Sequence, residues 1–315
     1  MVQPASVVKN IVLVHGAFAD GTCWWKVIPL LEDKGYSVAA VQNPLTSLAD
    51  DAAATRRTIA LQDGPVILVG HSWGGAVITE VGDDPKVAAL VYVSAYAPDV
   101  GQSANDASAP FGWTEGQKQI RVAGDNFATI TWEGMREDIA QRLPMAERKL
   151  AFAVQGQSYA PAFDEKLTSA AWKNKPTWAI VSTNDRMLPP AMEESAAKRM
   201  GAVTTTLPTC HMVILEEPAQ VAAVIDEAAR TALANSVSYN KDIKPLFREI
   251  DVEHMKRYGV LLDDYAYMSD GAGDHSNATA VLSTLTKKTM PPGGPFWPQD
   301  LLDLFKKWMS DGYQV

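Results

Sequence analysis

The sequence predicts an α/β fold in which a mostly parallel sheet is flanked by helices. Two observations lead to this prediction. From residue 10 to about residue 235, short runs rich in β-branched residues alternate with longer runs of helical spacing, as expected of parallel strands joined by helices. The strand-like run at 66–69 is also apolar throughout, which is typical of a strand buried on both faces.

The predicted elements of this sheet follow one another regularly along the chain. Strands are expected at 10–15, 36–41, 66–69, 87–94, 177–182 and 203–207. Helices are expected at 24–34, 47–61, 76–80 and 219–235. Gly35 follows the first helix as a C-terminal stop, and Ser47 is a suitable N-cap for the second.

Residues 103–172 interrupt this alternation. They contain large apolar side chains, among them Trp113 and Trp132, and no convincing strand. An apolar helical insertion between two strands of a sheet is typical of a lid over a binding site. We therefore predict a helical cap at 103–172 on a core formed by 1–102 and 173–235. The alternative is that these aromatic side chains form a small core of their own.

Residues 236–315 differ in character from the rest of the chain and predict a small all-helical C-terminal domain. Four apolar residues fall on one face of its last helix: Leu301, Leu304, Phe305 and Trp308. This spacing is that of an amphipathic helix with one buried face. Pro298 lies near the helix start, where a missing N–H costs little.

Composition and charge exclude several classes of partner. The chain has 315 residues, 47% of them hydrophobic and 21% charged, and a net charge of -9. The negative charge argues against nucleic acid and against an anionic membrane surface as partners. We expect no signal peptide and no spanning helix, since no apolar run reaches about 18 residues. Cys23 and Cys210 are too few for a disulfide framework, which favours the cytoplasm.

The run Gly70-His71-Ser72-Trp73-Gly74 lies between the strand at 66–69 and a helix-compatible segment. Gly-x-Ser-x-Gly in this context predicts a sharp turn that exposes the serine hydroxyl as a nucleophile. Ser72 is therefore the candidate nucleophile.

A serine nucleophile needs a histidine base and a carboxylate that orients it. His211 follows the last predicted strand, where a loop at the carboxyl edge of the sheet can return to the serine. His71 is pinned beside the serine and is expected to face away, and His15 is expected to hold its loop rather than transfer protons. Asp185 follows the strand at 177–182, and the order Ser, Asp, His is typical of such triads.

Two alternatives for Asp185 stay open: it could cap the next helix, or it could pair with Arg186. For the oxyanion, the backbone N–H groups of Ala17 and Trp73 are the candidate donors. Candidate residues for the wall of the substrate pocket are Phe18, Trp113, Trp132 and Met187. We expect no metal site.

Together these residues resemble the α/β-hydrolase superfamily over residues 10–235. The segments His-Gly-Ala-Phe-Ala-Asp-Gly at 15–21, Gly-His-Ser-Trp-Gly-Gly at 70–75 and Cys-His-Met at 210–212 are similar to one branch of it. That branch contains plant methyl esterases, hydroxynitrile lyases and small bacterial carboxylesterases. The resemblance implies an α/β-hydrolase fold with a helical cap.

The resemblance also implies a reaction: an ester acylates Ser72, the alcohol leaves, and water activated through His211 releases the acid. The related lyases need a hydroxyl side chain in the oxyanion loop and a lysine directly after the histidine. This chain has Gly16-Ala17 and Met212 there, so hydrolysis is favoured. A serine at the turn also argues against haloalkane dehalogenases and epoxide hydrolases, which use an aspartate.

The sequence thus predicts a cytoplasmic serine carboxylesterase acting on small to medium acyl esters. Alternatives with the same triad are an acyltransferase, a lactonase or a cofactor-free perhydrolase. A non-catalytic binding protein on the same fold is a further alternative, because fold alone does not establish function.

The C-terminal domain resembles a degenerate c-type cytochrome. Its Cys-x-x-Cys-His would align with 250–254, but Ile250 and Glu253 replace both cysteines, which excludes covalent haem attachment. Non-covalent haem through His254 and Met290 is conceivable, yet axial ligands alone do not make a pocket. We expect no cofactor. The domain could instead pack on the hydrolase body or form an oligomer contact, which makes a homodimer plausible.

Overall fold

The computed structural model describes residues 7–233, 237–270, 275–291, 293–311 and 313. Contacts divide the chain into two compact units, residues 1–232 and 233–315. The predicted last residue of the helix at 219–235 and the predicted start of the C-terminal domain at 236 lie outside the described residues.

The first unit contains strands and helices in alternation. Its strands are β1 (Asn10–Val14), β2 (Ser37–Ala40), β3 (Val66–Ser72), β4 (Val87–Ala95), β5 (Ile120–Val122), β6 (Phe127–Ile130), β7 (Ser158–Tyr159), β8 (Thr177–Ser182) and β9 (Val203–Leu207). Its helices are α1 (Val27–Glu32), α2 (Leu48–Ala60), α3 (Trp73–Val81), α4 (Ala104–Ser108), α5 (Trp132–Gly134), α6 (Met145–Ala153), α7 (Pro190–Met200), α8 (Val213–Glu216) and α9 (Pro218–Thr231).

Six of these strands form one parallel sheet in the order β2-β1-β3-β4-β8-β9. Every residue of β1, β3 and β8 is buried, as their apolar sequences require of strands covered on both faces. The prediction of a mostly parallel sheet flanked by helices is confirmed. Because the strands are parallel, the segments that follow β1, β3, β8 and β9 all emerge at the same edge of the sheet.

The insertion at 103–172 differs from its prediction. It contains helices, but β5, β6 and β7 also pair as a three-stranded antiparallel sheet. The expectation of no strand in this segment was wrong. These strands have only two to four residues, which is too short for an alternating pattern to stand out from the surrounding sequence.

The second unit is helical in its described residues. Its helices are α10 (Glu249–Lys256), α11 (Tyr265–Ser269), α12 (Ser276–Thr286) and α13 (Gln299–Ser310). Phe305 and Trp308 on α13 are fully buried. The Trp308 ring lies 5.1 Å from the Tyr239 ring and 5.4 Å from the Phe305 ring, centroid to centroid. This aromatic cluster is the centre of the unit's own core.

Among the described residues, no helix has both the length and the apolar character that crossing a bilayer requires.

The aromatic core of the second unit gives a stability prediction. Trp308→Ala removes a fully buried ring and should lower the free energy of unfolding of this unit by about 3–5 kcal/mol. Differential scanning calorimetry of the full chain should show a melting transition at a clearly lower temperature. Tyr258→Ala, which truncates a ring that is 71% exposed, is the control. Equal melting curves for the two variants would contradict the prediction.

Candidate active site

Ser72 lies at the carboxyl end of β3 in a conformation that a serine rarely adopts. Its φ is 54° and its ψ is -120°, a left-handed backbone that costs of order 1–3 kcal/mol in a residue with a side chain. The neighbouring glycines make room for this turn. A Cβ on Gly70 would lie 2.5 Å from the Gly74 carbonyl oxygen, and one on Gly74 would lie 2.4 Å from the Val14 carbonyl oxygen. Only glycine therefore fits at both positions.

The loop after β1 passes directly over the serine. A Cβ on Gly16 would lie 2.7 Å from Cβ of Ser72 and 3.2 Å from its Oγ. Ala17 follows and lines the cavity that contains Ser72. Trp73 is the first residue of α3, and the N–H groups of a helix's first turn have no partner within the helix. Trp73 thus follows Ser72 directly in the chain, and Ala17 lines the same cavity as Ser72; their role as oxyanion donors stays a prediction.

His15 holds this loop in shape. Its Nε2 accepts a hydrogen bond from the Asn43 N–H at 2.9 Å, so its Nδ1 carries the proton and donates to the Gly16 carbonyl at 2.8 Å. The Asn43 side-chain amide donates to the His15 carbonyl at 2.9 Å. Burial lowers the pKa of His15, which keeps the ring neutral and the tautomer fixed.

Asp185 and His211 form a buried pair. Nδ1 of His211 donates to Oδ2 of Asp185 at 2.6 Å. The other carboxylate oxygen, Oδ1, accepts the N–H groups of Met187 at 2.7 Å and Leu188 at 2.8 Å. Since Nδ1 is engaged by the carboxylate, Nε2 is the ring nitrogen left to take a proton. Ser72 and His211 line the same cavity.

The alternative partner of Asp185 is engaged elsewhere. Arg186 forms an ion pair with Asp138 of the insertion, 2.9 Å from Nε to Oδ1. Two further bonds connect the insertion to the same turn: the Gly116 N–H donates to the Arg186 carbonyl at 2.8 Å, and the Thr114 hydroxyl donates to the Met187 carbonyl at 2.9 Å. The turn that carries Asp185 is therefore tied to the insertion.

His71 lines the same cavity as Ser72 and contacts the predicted base, His211. Its Nε2 donates to the backbone carbonyl of His211 at 2.9 Å, and the two rings lie 4.8 Å apart. Burial, together with the nearby His211, lowers the pKa of His71 to about 3. A ring that stays neutral and already donates its proton to a carbonyl is a structural neighbour of His211.

Two buried carboxyl groups near the site were not identified from the sequence. Asp51 on α2 accepts the indole N–H of Trp73 at 2.7 Å and the Leu45 N–H at 2.8 Å. Burial raises its pKa to about 6. Asp51 falls on the apolar face of α2, three residues after Leu48, and that position was the available signal.

Glu193 on α7 is the second of these groups. It is 3% exposed, and its Oε2 accepts the Ser182 N–H at 3.0 Å. Burial, and next the negative charge of Asp185, raise the pKa of Glu193 well above its usual range. Glu193 therefore keeps its proton to a higher pH than an exposed glutamate does, beside the turn that carries Asp185.

The four predicted pocket residues lie in different places. Phe18 and Met187 line the cavity that contains Ser72 and His211. Trp113 lines a neighbouring cavity. Trp132 is not among the residues that line either of these two cavities, and its place in the pocket wall stays a prediction. Its ring packs edge-on against Phe152 at 5.5 Å, because both lie on the insertion's own helices.

Within the residues that the structure describes, no group of three or more acidic, histidine or cysteine side chains is arranged to hold a metal ion. In the second unit, Met290 lines a small apolar cavity of about 360 Å³. His254 is not among the residues lining that cavity, and its ring lies against Tyr258 at 5.3 Å. The described residues therefore do not direct the two candidate haem ligands into this cavity.

The sequence pattern of the Alpha/beta hydrolase family matches residues 11–224. The chain belongs to this family. The strained serine between β3 and α3, with an aspartate after β8 and a histidine after β9, is the arrangement this fold uses for nucleophilic catalysis.

Individual relatives are similar to this hydrolase over part of its length. The carbendazim hydrolyzing esterase of a Nocardioides strain is 34% identical over 110 residues, 30% of this chain and 45% of that protein. Methylesterase 2 of Arabidopsis thaliana is 31% identical over 175 residues, 48% of this chain and 66% of that protein. Each match thus spans less than two thirds of the relative.

A solved structure, that of polyneuridine aldehyde esterase, has a TM-score of 0.63 at 20% identity. The match covers 70% of this chain and 98% of that one, and it shows the fold alone. The family match and these relatives lend no support to the cytochrome resemblance of the C-terminal domain, which stays a prediction.

The buried Glu193 gives a prediction about stability and pH. In the unfolded hydrolase this carboxyl group ionises near its usual pKa of 4.5, whereas the folded chain keeps it protonated to higher pH. Between the pKa of Glu193 in the unfolded state and its pKa in the folded state, the unfolded state binds fewer protons than the folded state. The free energy of unfolding therefore falls as pH rises through this range. Glu193→Gln removes this loss, and the Tm of the variant minus that of the wild type should increase between about pH 5 and about pH 8.

The matched control is Glu194→Gln, because Glu194 is the exposed neighbour on the same helix. Its Tm difference from the wild type should stay constant over the same pH range. A constant or decreasing difference for Glu193→Gln would show that Glu193 is ionised in the folded hydrolase.

Proposed function

We propose that this hydrolase is a serine carboxylesterase for small to medium acyl esters, with Ser72, Asp185 and His211 as its triad. The observation that carries the proposal is the buried hydrogen bond of 2.6 Å between Asp185 and His211, at a cavity that Ser72 also lines. The names of the relatives, which are esterases, support the same reaction class.

In the proposed reaction, Oγ of Ser72 attacks the ester carbonyl carbon while Nε2 of His211 takes the hydroxyl proton. Asp185 stabilises the resulting imidazolium and keeps the ring oriented. The carbonyl oxygen becomes an oxyanion that accepts the N–H groups of Ala17 and Trp73, each worth about 3–4 kcal/mol of transition-state stabilisation.

The tetrahedral intermediate then breaks its bond to the alkoxy oxygen, which receives the proton from His211 and leaves as the alcohol. A water molecule repeats the sequence on the acyl-enzyme: His211 takes its proton, the oxygen attacks, and the returned proton frees Ser72 and the acid. Met212, the residue after His211, supplies no ammonium group for lyase chemistry, which favours hydrolysis. We also propose a cytoplasmic location, which the free, buried Cys23 and Cys210 support.

The triad gives a kinetic prediction. Ser72→Ala should abolish turnover of p-nitrophenyl acetate and butyrate and should also abolish labelling by a fluorophosphonate probe, because the substitution removes the proposed nucleophile. Asp185→Asn should lower kcat by about 10⁴, since the amide favours the wrong tautomer of His211.

Ser37→Ala, at an exposed serine of β2, is the matched control and should have wild-type kinetics. Hydrolysis by Ser72→Ala at the rate of this control would overturn the proposed function.

A further inference from the structure

Two cavities meet beside Ser72. The catalytic cavity is lined by Ser72 and His211. A second cavity is lined by residues of α4 and β5 of the insertion and by neither Ser72 nor His211. Four residues line both cavities, and we call them the partition: Phe18, Tyr96, Phe163 and Met187.

Aromatic rings pack against Phe163 of the partition. The Phe163 ring lies 6.4 Å from Phe18 and 4.8 Å from Trp73, centroid to centroid. Phe18 directly follows Ala17, and the Tyr96 N–H donates to the Ser72 carbonyl at 3.1 Å. Because the partition lines the cavity that contains Ser72 as well as the second cavity, a group that extends from Ser72 towards the second cavity meets the partition first.

The proposed chemistry decides which half of an ester faces which cavity. The alkoxy oxygen must lie within hydrogen-bond reach of His211, because His211 protonates it. Met212 and Leu215, which follow His211 in the chain, line only the catalytic cavity. The alcohol half thus lies on the His211 side, and the acyl chain is directed to the opposite side, past Phe18 and Tyr96.

The second cavity is chemically suited to an apolar acyl group. Its wall includes the side chains of Ile120, Val122 and Ala128. Its long polar side chains already have partners within the insertion. Lys118 pairs with Glu115 at 2.7 Å, and the Asn105 amide donates to Asp164 at 2.8 Å.

The third polar side chain, Gln117, accepts the Thr114 N–H at 3.0 Å through its Oε1. Lys118 and Asn105 are exposed, so they stay paired and hydrated while an apolar chain lies against Ile120, Val122 and Ala128.

We infer that the second cavity is the acyl subsite, and that the substrates are esters of an apolar carboxylic acid with an apolar alcohol in the catalytic cavity. This inference rests on the proposed function, since it uses the roles of Ser72 and His211. It adds the substrate class and the direction in which the ester binds.

The experiment uses two series of esters on the full-length protein. In the acyl series, p-nitrophenyl esters carry straight acyl chains from acetyl to decanoyl. In the alcohol series, the acyl group is fixed as butyryl and the alcohol grows from methyl to octyl. Each methylene that enters an apolar subsite should raise kcat/KM by about fourfold until the subsite is full.

Two variants each reduce the volume of one cavity. Ala109→Trp adds an indole at an exposed position of the second cavity. It should lower the decanoyl-to-acetyl ratio of kcat/KM at least tenfold. Val154→Trp adds one to the catalytic cavity, where Val154 is 40% exposed. It should lower the octyl-to-methyl ratio of the alcohol series to a similar extent. Ala219→Trp, at an exposed alanine of α9 outside both cavities, is the matched control and should change neither ratio.

The outcomes separate the inference from the proposed function. An unchanged acyl ratio in Ala109→Trp would overturn the acyl subsite, and a reduced alcohol ratio in that variant would reverse the assigned direction. Val122→Trp, at a second exposed position of the same cavity, gives the same test if Ala109→Trp does not fold. Failure of the proposed function itself would be seen in a different measurement, because ester hydrolysis would then persist in Ser72→Ala.

Discussion

The close approach of α3 to the β1 and β3 strands is the constraint on which the site depends. A serine is held at a φ of 54° only because Gly70 and Gly74 let the backbones lie closer than any side chain allows. The strain of this turn is offset by the packing of the strands around it, all of which are buried. The apolar sheet thus stabilises a conformation that the serine would not adopt in a peptide.

A layer of buried polar side chains fixes the groups around this turn. His15 and Asn43 hold the loop above the serine, and Asp51 holds the ring of Trp73. Beneath Asp185 and His211, the hydroxyl groups of Ser94 and Ser182 lie 2.6 Å apart, and that of Ser182 lies 2.9 Å from Thr209. This chain of hydroxyls joins β4, β8 and the loop after β9. The segments that carry Asp185 and His211 therefore share one hydrogen-bond network.

The sequence predicted those features of the fold that depend on residues close together in the chain. Apolar strands and the Gly-x-Ser-x-Gly turn are local, and the parallel sheet that they predict is the one observed. Asp185 and His211 were predicted to be neighbours because parallel strands end at one edge, and the structure places them 2.6 Å apart. Asp51 and Glu193 were missed because their significance comes from burial and from partners 6 to 22 positions away along the chain. The Trp132 ring lies against Phe152, a contact that the sequence does not reveal because the direction of a side chain on a short helix is set by tertiary packing.

The bonds between the insertion and the turn after β8 have a mechanical consequence. Arg186 and Met187 are held by Asp138, Gly116 and Thr114 of the insertion, while the adjacent Asp185 orients His211. Displacement of the insertion would therefore also displace the residues beside Asp185, and with them the carboxylate that orients the His211 ring.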